Sequence, residues 1–274
     1  MPALFLRMLD VEFSQVSDPG RTRGHNEDYL DYLAPGSPDE ARKRGWLFAL
    51  ADGVGGHDYG EVASRAAVEK LISGFRQAQG GEQHTTLLPR LVQAANTHVF
   101  ETAMATRKGG GASMATTLVT CALRFDRAVI AHVGDSRCYH IRHGQVRQLT
   151  RDHTVANEQI RLGLITKGEA NGLPTSSILS RSLGNDMFVV VDSSEHQVMG
   201  GDVLLLCSDG LHHSILEKDM VQILRDTSDL QPAAAELVSI ANQRDGRDNI
   251  SVQLIRVKSV ERVGMYRGRP YKLR

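Results

Sequence analysis

Cysteine is scarce in this 274-residue sequence, which contains only three. Cys121, Cys138 and Cys207 lie far apart and form no CxxC pair, which argues against a disulfide framework and against a zinc site. Cys121 and Cys207 lie within apolar runs, where a buried and inert thiol is expected. We therefore do not expect a function based on thiol chemistry.

Long hydrophobic runs are also missing. No segment approaches the ~20 apolar residues that a membrane helix needs, and the apolar patch at residues 1–14 is interrupted by Arg7 and Asp10. A signal peptide would need a longer apolar run and a small-residue cleavage site. The sequence therefore predicts a cytoplasmic protein with no membrane partner.

Neither sign of charge is in excess. The 32 Lys and Arg residues equal the 32 Asp and Glu residues, so net charge favours neither nucleic acid nor an anionic membrane as a partner. No basic pattern studded with aromatic residues is visible, which counts against nucleic acid as a substrate.

Short β-like runs alternate with longer helical stretches. The runs are rich in Val, Ile, Leu and Thr and are bounded by Gly, Asp or Pro. The predicted strands are Val11–Ser17, Trp46–Ala51, Thr116–Leu123, Ala128–Val133, Ser136–Ile141, Val203–Cys207 and Asn249–Val257. The predicted helices are Glu61–Gln79, Leu87–Thr106, Glu217–Asp226 and Pro232–Gln243. Strands grouped with strands and helices with helices predict a layered α+β fold.

Two segments do not fit a core. Residues 150–180 are polar, with a short helical patch at Ala156–Leu164, and are predicted to form a surface insertion or flap. Residues 258–274 are basic and are predicted to form a solvated, partly disordered tail, with docking on an acidic partner as an alternative. We interpret residues 1–257 as a single domain.

Carboxylates recur at the predicted strand ends. Three apolar strands run directly into Asp52, Asp135 and Asp209, and Asp248 stands just before another strand. Glu27 and Asp28 stand at the start of a further predicted strand. Each Asp-Gly pair alone is most often a turn. Together, carboxylates converging at one edge of the sheets would repel each other, and a hard cation such as Mg²⁺, Mn²⁺ or Ca²⁺ removes that cost.

Seven motifs then occur in order. They are RxxNED at Arg23–Asp28, DGVGGH at Asp52–His57, GASMATTL at Gly111–Leu118, VGDSR at Val133–Arg137, LSRSLG at Leu179–Gly184, CSDGL at Cys207–Leu211 and GRDNIS at Gly246–Ser251. In this order they resemble the bacterial branch of the PP2C-type (PPM family) metal-dependent serine/threonine protein phosphatases. The resemblance implies a four-layer α-β-β-α sandwich of two antiparallel sheets flanked by helices, with a flap insertion.

The resemblance also implies two core ions, Mn²⁺ or Mg²⁺. Asp52, expected to be catalytic, would bridge both ions. Asp209 and Asp248 would complete one site, and Glu27 with the carbonyl of Gly53 would serve the other.

Three further residues have implied roles. Asp135 matches the position associated with a third, weaker ion shared with Asp209, although a structural ion pair between Asp135 and Arg137 is an alternative. Asp28 would orient ligands or water from behind the ion site. Arg23 matches the phosphate-binding arginine, and its planar fork suits two phosphate oxygens.

The sequence departs from the family pattern in two places. Some relatives carry a histidine directly after the Asp-Gly pair, where it could protonate the leaving group, whereas this chain has Val54. His57 could position substrate or water instead, or it could cap backbone groups of the turn. The His-Pro-x-Arg-Asn stretch that many bacterial relatives carry in the flap is absent, so flap contacts cannot be transferred.

The implied function is hydrolysis of phosphoserine and phosphothreonine on proteins by a metal-activated water, acting as a monomer. The substrates would include a bacterial eukaryote-like Ser/Thr kinase or its targets. One alternative is a catalytically weak phosphoprotein-sensing module of the same fold. A metal-dependent nuclease is a second alternative.

Overall fold

Two antiparallel five-stranded sheets form the centre of the molecule. The computed structural model describes residues 9–54, 59–106, 114–170, 173–261, 263–266 and 269–272. In pairing order, the first sheet contains β1 (Leu9–Asp18), β10 (Ile250–Val260), β9 (Val203–Cys207), β6 (Arg137–Arg142) and β7 (Gln145–Gln148). The second contains β2 (Asp28–Leu33), β3 (Trp46–Asp52), β4 (Leu118–Arg124), β5 (Arg127–Val133) and β8 (Asp192–Gln197).

The α-helices of the described residues are α1 (Pro38–Lys43), α2 (Gly60–Gln77), α3 (His84–Thr106), α4 (Val155–Arg161), α5 (Lys167–Ala170), α6 (Asp209–His212), α7 (Glu217–Asp226) and α8 (Leu230–Arg244), with a 3₁₀ turn at Pro174–Ser176. The four long helices cover the outer faces of the two sheets. Helices α2 and α3 pack on the second sheet, and α7 and α8 pack on the first. Among the described helices, none combines the length and the apolar character of a membrane span.

Alternate residues of one strand face different layers, because successive side chains of a strand point to opposite faces. In β3, Leu47 and Ala49 join the apolar cluster with α2 and α3, whereas Phe48 and Leu50 join the cluster between the sheets. A third cluster lies between the first sheet and α7 with α8. The four layers agree with the predicted α+β sandwich of two antiparallel sheets flanked by helices.

The sequence pattern did not predict strands β7 and β8. Each is the last strand at one edge of its sheet, and their sequences, QVRQ and DSSEHQ, are polar. Edge strands contact solvent along one side and often carry polar or charged residues that prevent pairing with another chain. The apolar signal that identifies central strands is therefore weak in these two.

The C-terminal segment is more ordered than predicted. Strand β10 continues to Val260, because β1 begins at Leu9 and pairs with it there. Beyond it, β11 (Val263–Tyr266) and β12 (Arg269–Lys272) form a two-stranded antiparallel hairpin. The prediction of a basic tail at residues 258–274 did not include these strands.

The predicted flap, residues 150–180, contains α4, α5 and the 3₁₀ turn. Two backbone hydrogen bonds close its base: Val155 N–H donates to the Ile178 carbonyl (2.8 Å), and Ser180 N–H donates to the His153 carbonyl (2.8 Å). Because of this closed base, the flap leaves and rejoins the sheets at neighbouring points.

Candidate active site

A cavity of about 390 Å³ lies at one end of the two sheets. Four of the predicted aspartates line it together with residues from the flap. The lining residues that bear on function are Arg23, Asp52, Gly53, Asp135, Ile178, Leu179, Asp209 and Asp248. The structure therefore brings together carboxylates that are widely separated in sequence.

Both sheets contribute to this cavity. Asp52 is the last residue of β3 in the second sheet, and Asp135 lies in the turn between β5 of the second sheet and β6 of the first. Asp209 begins α6 shortly after β9, and Asp248 stands two positions before β10, so these two come from the first sheet. The cavity thus lies where the two sheets meet.

The backbone at Asp52 is fixed on two sides. Asp52 N–H donates to Thr117 Oγ1 (3.0 Å), and Thr117 N–H donates to the Asp52 carbonyl (2.8 Å). The next residue, Gly53, donates its N–H to the Glu27 carbonyl (3.1 Å). A Cβ at Gly53 would lie 2.5 Å from the Gly60 backbone, so only glycine fits this close approach.

Burial raises the pKa of several carboxylates at this site. Burial, followed by the charge of Asp28, raises the pKa of Asp52 well above its ordinary value. Burial and neighbouring aspartates also raise the pKa values of Asp28 and Asp135, each to about 7. The first cause in each case is desolvation, which disfavours the charged carboxylate.

Asp28 lies behind this cluster, opposite Asp52 in the β2–β3 ladder. Its Oδ2 accepts a hydrogen bond from Ser208 Oγ (2.8 Å). Its buried Oδ1 has no hydrogen-bond partner among the described residues. An unpaired buried oxygen beside crowded carboxylates is costly, and a divalent cation with its coordinated water would offset both costs. The oxygen donors fit the hard ions Mg²⁺ and Mn²⁺.

Arg23 lies at the edge of the cavity. Its Nη2 donates to Asp248 Oδ2 (2.9 Å), and both side chains are 39% exposed. This pair was not predicted. The guanidinium is therefore placed beside the carboxylates while keeping access to solvent and to an incoming anion.

Glu27 is buried beside the cavity but does not line it. Its Oε1 is 3.0 Å from His25 Nε2. Its N–H donates to Asn249 Oδ1 (2.8 Å), and the Asn249 amide donates to the carbonyls of His25 (3.0 Å) and Pro19 (2.9 Å). Asn249 thus joins the RxxNED loop to the start of β10. The sequence interpretation did not single it out, although it stands inside the GRDNIS motif.

The predicted alternative partner of Asp135 is engaged elsewhere. Arg137 Nη2 donates to Asp152 Oδ2 (2.6 Å), its Nε donates to both Asp152 oxygens, and its Nη1 donates to Tyr139. The Asp135 carbonyl accepts a hydrogen bond from His212 Nε2 (3.0 Å). Asp135 is therefore free of the proposed structural ion pair and faces the cavity.

His57 lies outside the described residues.

The family model for protein phosphatase 2C matches residues 26–254. This chain belongs to the protein phosphatase 2C family. Membership confirms the predicted family and the predicted activity of a metal-dependent protein phosphatase.

Two named relatives are similar in sequence to this phosphatase over nearly its whole length. It is 37% identical over 256 residues to the serine/threonine phosphatase stp of Listeria innocua, covering 92% of this chain and 96% of the relative. It is 31% identical over 247 residues to protein phosphatase PhpP of Streptococcus pneumoniae, covering 89% and 97%.

Solved structures of phosphatases share the fold. The serine/threonine phosphatase of S. agalactiae has a TM-score of 0.81 and 31% identity, covering 90% of this chain and all of the other. The catalytic domain of the phosphatase PstP in complex with two manganese ions has a TM-score of 0.76 and 30% identity, covering 91% and 99%. These matches confirm the predicted fold. Membership of the protein phosphatase 2C family supports the predicted Mn²⁺ or Mg²⁺ cofactor.

Two other groups place three candidate ligand atoms within 4.8 Å of one another. One is His25, Glu27 and Glu61, which adjoins the cavity through Glu27. The other is His132, His153 and Asp192. Its two imidazole rings stack at 4.7 Å with an interplanar angle of 17°.

A histidine nitrogen binds an ion through a lone pair that lies in the plane of its ring. Because the two stacked rings lie in separate, nearly parallel planes, one ion cannot lie in the plane of both. Arg181 also donates to Asp192 (2.9 Å), which places a positive charge beside the carboxylate. The second group is therefore a poor ion site in this phosphatase.

Proposed function

We propose that this phosphatase hydrolyses phosphoserine and phosphothreonine on proteins in the cavity lined by Asp52. The observation that carries the proposal is the convergence of Asp52, Asp135, Asp209 and Asp248 around one cavity with Arg23 at its edge. Carboxylates and a neighbouring arginine match the needs of a phosphate monoester, whose charge must be held while water attacks.

Asp52, Asp209 and Asp248 would hold one ion, and Asp52, Glu27 and the Gly53 carbonyl a second. Asp135 and Asp209 would hold a third, weaker one. When bound, Mn²⁺ or Mg²⁺ supplies an acidified water and offsets the phosphoryl charge. Asp28, with its free Oδ1, is placed to accept a proton or orient a water from behind the cluster.

Arg23 binds the phosphate in this proposal. Its fork can donate to two phosphate oxygens, and Asp248 keeps the guanidinium at the cavity edge. Because both side chains are partly exposed, a phosphate arriving from solvent can reach the guanidinium without displacing buried groups.

We infer that the substrates are phosphoproteins, including a bacterial eukaryote-like kinase or its targets, in the cytoplasm, and that the enzyme acts as a monomer. The support is the similarity to bacterial phosphatases over nearly the whole chain. Phosphoproteomics of a deletion strain tests this directly. Sites that gain phosphate in the deletion strain, and that the purified enzyme dephosphorylates, are the expected result.

Three substrates separate the candidate functions. With Mn²⁺, the enzyme is expected to hydrolyse p-nitrophenyl phosphate and a phosphothreonine peptide but not single-stranded DNA, and EDTA should stop both reactions. Binding of the phosphopeptide without turnover would indicate a sensing module. Cleavage of DNA alone would indicate a nuclease and overturn the proposal.

A further inference from the structure

His153 is a fully buried histidine at the start of the flap. Its ring Nδ1 accepts a hydrogen bond from Gly134 N–H (3.1 Å), and its backbone N–H donates to the Gly134 carbonyl (3.0 Å). One residue therefore holds both backbone groups of Gly134. Gly134 directly precedes Asp135, which lines the cavity.

The other ring nitrogen faces a carboxylate. His153 Nε2 lies 3.4 Å from Asp192 Oδ2, at the start of β8. Because Nδ1 acts as an acceptor, the neutral ring carries its proton on Nε2. Nε2 has no hydrogen-bond partner among the described residues, so Asp192 acts on this edge of the ring through its charge. Arg181 holds Asp192 in turn (2.9 Å). The nearby negative charge of Asp192 favours a proton on Nε2, the tautomer that the bond to Gly134 requires.

The opposite side of the Gly134 turn is also constrained. Gly134 has a φ of +105°, and a Cβ there would lie 2.6 Å from the Thr117 side chain. Thr117 Oγ1 lies 2.7 Å from Ser136 Oγ. The turn that carries Asp135 is therefore held between Thr117 and His153.

His153 also belongs to the base of the flap. Its carbonyl accepts from Ser180 N–H (2.8 Å), and the next residue, Thr154, forms a bridge with Leu179. Leu179 lines the cavity. His153 thus contacts both the turn that carries Asp135 and the flap segment that lines the cavity.

We propose that His153, oriented by Asp192, is a positioning residue that fixes the Gly134–Asp135 backbone relative to the flap. The inference rests on the proposed role of Asp135 in holding the weaker third ion. Loss of the bond to Gly134 lets Asp135 move, which weakens that ion while leaving Asp52, Asp209 and Asp248 in place.

Two substitutions of His153 separate its two side-chain contacts. His153→Asn keeps an amide oxygen near the position of Nδ1, where it can accept from Gly134 N–H. His153→Gln places its amide near Nε2, toward Asp192, and leaves Gly134 N–H without its acceptor. Both keep a polar side chain in the buried site, and Asp135→Ala serves as the reference for complete loss of the third ion.

The measurements are Mn²⁺ titration calorimetry and turnover of a phosphothreonine peptide beside p-nitrophenyl phosphate. His153→Gln is expected to lose the weak Mn²⁺ binding event and to lower phosphopeptide kcat by about tenfold, the range seen when a group supporting a ligand is removed. Its p-nitrophenyl phosphate kcat should change less, because that leaving group is better. His153→Asn should stay within about threefold of wild type in both assays.

A matched control is His84→Gln. His84 is also buried, packs against Phe75 (5.5 Å between rings) and lies in α3. Its substitution should lower the thermal unfolding temperature while leaving the Mn²⁺ isotherm and the ratio of the two turnover rates unchanged.

Asp192→Asn covers the case in which His153→Gln fails to fold, because Asp192 is partly exposed. It should weaken the third Mn²⁺ event by about threefold, since the ring keeps its bond to Gly134 but loses the charge that orients it.

Equal behaviour of His153→Asn and His153→Gln would overturn the inference, and so would a wild-type Mn²⁺ isotherm in His153→Gln. If His153→Gln does not fold, an unchanged isotherm in Asp192→Asn overturns it. Failure of wild-type enzyme to hydrolyse either phosphate ester would instead count against the proposed function, and the Mn²⁺ titrations test His153 independently of turnover.

Discussion

Asp52 lies where burial and negative charge are both concentrated. Its backbone is fixed by Thr117, and its carboxylate has a raised pKa because it is buried beside other aspartates. A residue that destabilises the metal-free protein in this way is expected to be retained for function, since activity and stability conflict at such sites.

The first prediction concerns activity. Asp52→Asn should lower kcat for a phosphopeptide by at least about 10³-fold, because it weakens both core ion sites while the neutral amide preserves the packing. Steady-state kinetics with Mn²⁺ would measure this, and circular dichroism would confirm the fold. Asp31→Asn, a change in β2 outside the cavity, is the control that should keep full activity. Activity of Asp52→Asn near that of wild type would contradict the mechanism.

The second prediction concerns pH. The folded-state pKa values of Asp28 and Asp135 are about 7, and that of Asp52 is also raised well above its ordinary value, whereas unfolded carboxylates titrate near ~3.9. Between these values the folded state binds more protons, so stability falls as pH rises through the folded pKa values.

Burial lowers the pKa values of His84 and His153 to about 3 and 4. Because an unfolded histidine titrates near ~6.5, these two residues make stability rise with pH, but only below that value. The carboxylates therefore dominate from about pH 6.5, where the histidines cease to oppose them, to about pH 8, where Asp28 and Asp135 are ionised in the folded state as well. In EDTA, the unfolding temperature should fall by a few degrees, on the order of 2–4 °C per kcal/mol. Asp52→Asn should show a smaller fall, and Mn²⁺ should remove it; an equal fall in the variant would exclude Asp52 as the source.

The third prediction concerns Arg23. Arg23→Ala should raise KM for a phosphopeptide by about tenfold, and a lower kcat as well would show that the guanidinium follows charge development in the transition state. Arg247→Ala is the matched control, because Arg247 is 83% exposed and pairs with Asp245 beside the same loop. Unchanged kinetics in Arg23→Ala would remove Arg23 from phosphate binding.

At the scale of the elements, the side chains of each central strand point alternately to the two faces of its sheet and make both faces apolar. Phe48, fully buried between the sheets, packs against Phe13 (5.4 Å between rings) and Trp46 (6.1 Å). A one-residue slip of β3 would exchange its two faces. The register that pairs Asp28 with Asp52 is therefore set by packing at the far end of the same strand.

The fourth prediction tests this packing. Phe48→Ala should lower the free energy of unfolding by about 3–5 kcal/mol through lost burial and a cavity. Phe188→Ala is the control, since Phe188 is 78% exposed and should change stability by less than about 0.5 kcal/mol. Denaturant unfolding measures both. Equal effects of the two substitutions would contradict the assignment of Phe48 to the core between the sheets.

Apolar periodicity predicted the central strands and the four long helices to within a few residues, because those elements bury continuous apolar faces. It could not predict β7 and β8, whose polar sequences reflect exposed edges. The motifs predicted the cavity carboxylates. The Arg137–Asp152 pair and the Asn249 bridge were not predictable, since each depends on the packing of segments that carry no pattern relating them.

At the scale of the whole molecule, the cavity lies where the two sheets meet. Asp52 comes from one sheet, Asp209 and Asp248 from the other, and Asp135 from the turn that connects them. An ion held by carboxylates from both sheets therefore links the two halves of the sandwich.

The fifth prediction follows from this linkage. Mn²⁺ at 100 times its Kd should stabilise the folded protein by about 2.7 kcal/mol, seen as a higher unfolding temperature. Asp248→Asn should lose most of this increase, because it removes one of the two carboxylates, Asp209 and Asp248, that the first sheet contributes. Asp245→Asn, close in sequence but outside the cavity, should keep it. The same increase in Asp248→Asn as in wild type would show that Asp248 does not hold an ion.

The pairing of β1 with β10 has a consequence for synthesis on the ribosome. Strand β10 lies between β1 and β9, and Gln15 accepts a hydrogen bond from Gln253, 238 positions later. Closing so long a loop is slow, and β1 has no neighbour in its sheet until β10 has emerged. Asp248 immediately precedes that strand, so the carboxylate cluster is incomplete throughout most of translation. A nascent chain of this phosphatase therefore acquires its ion site only when nearly all of the sandwich has been made.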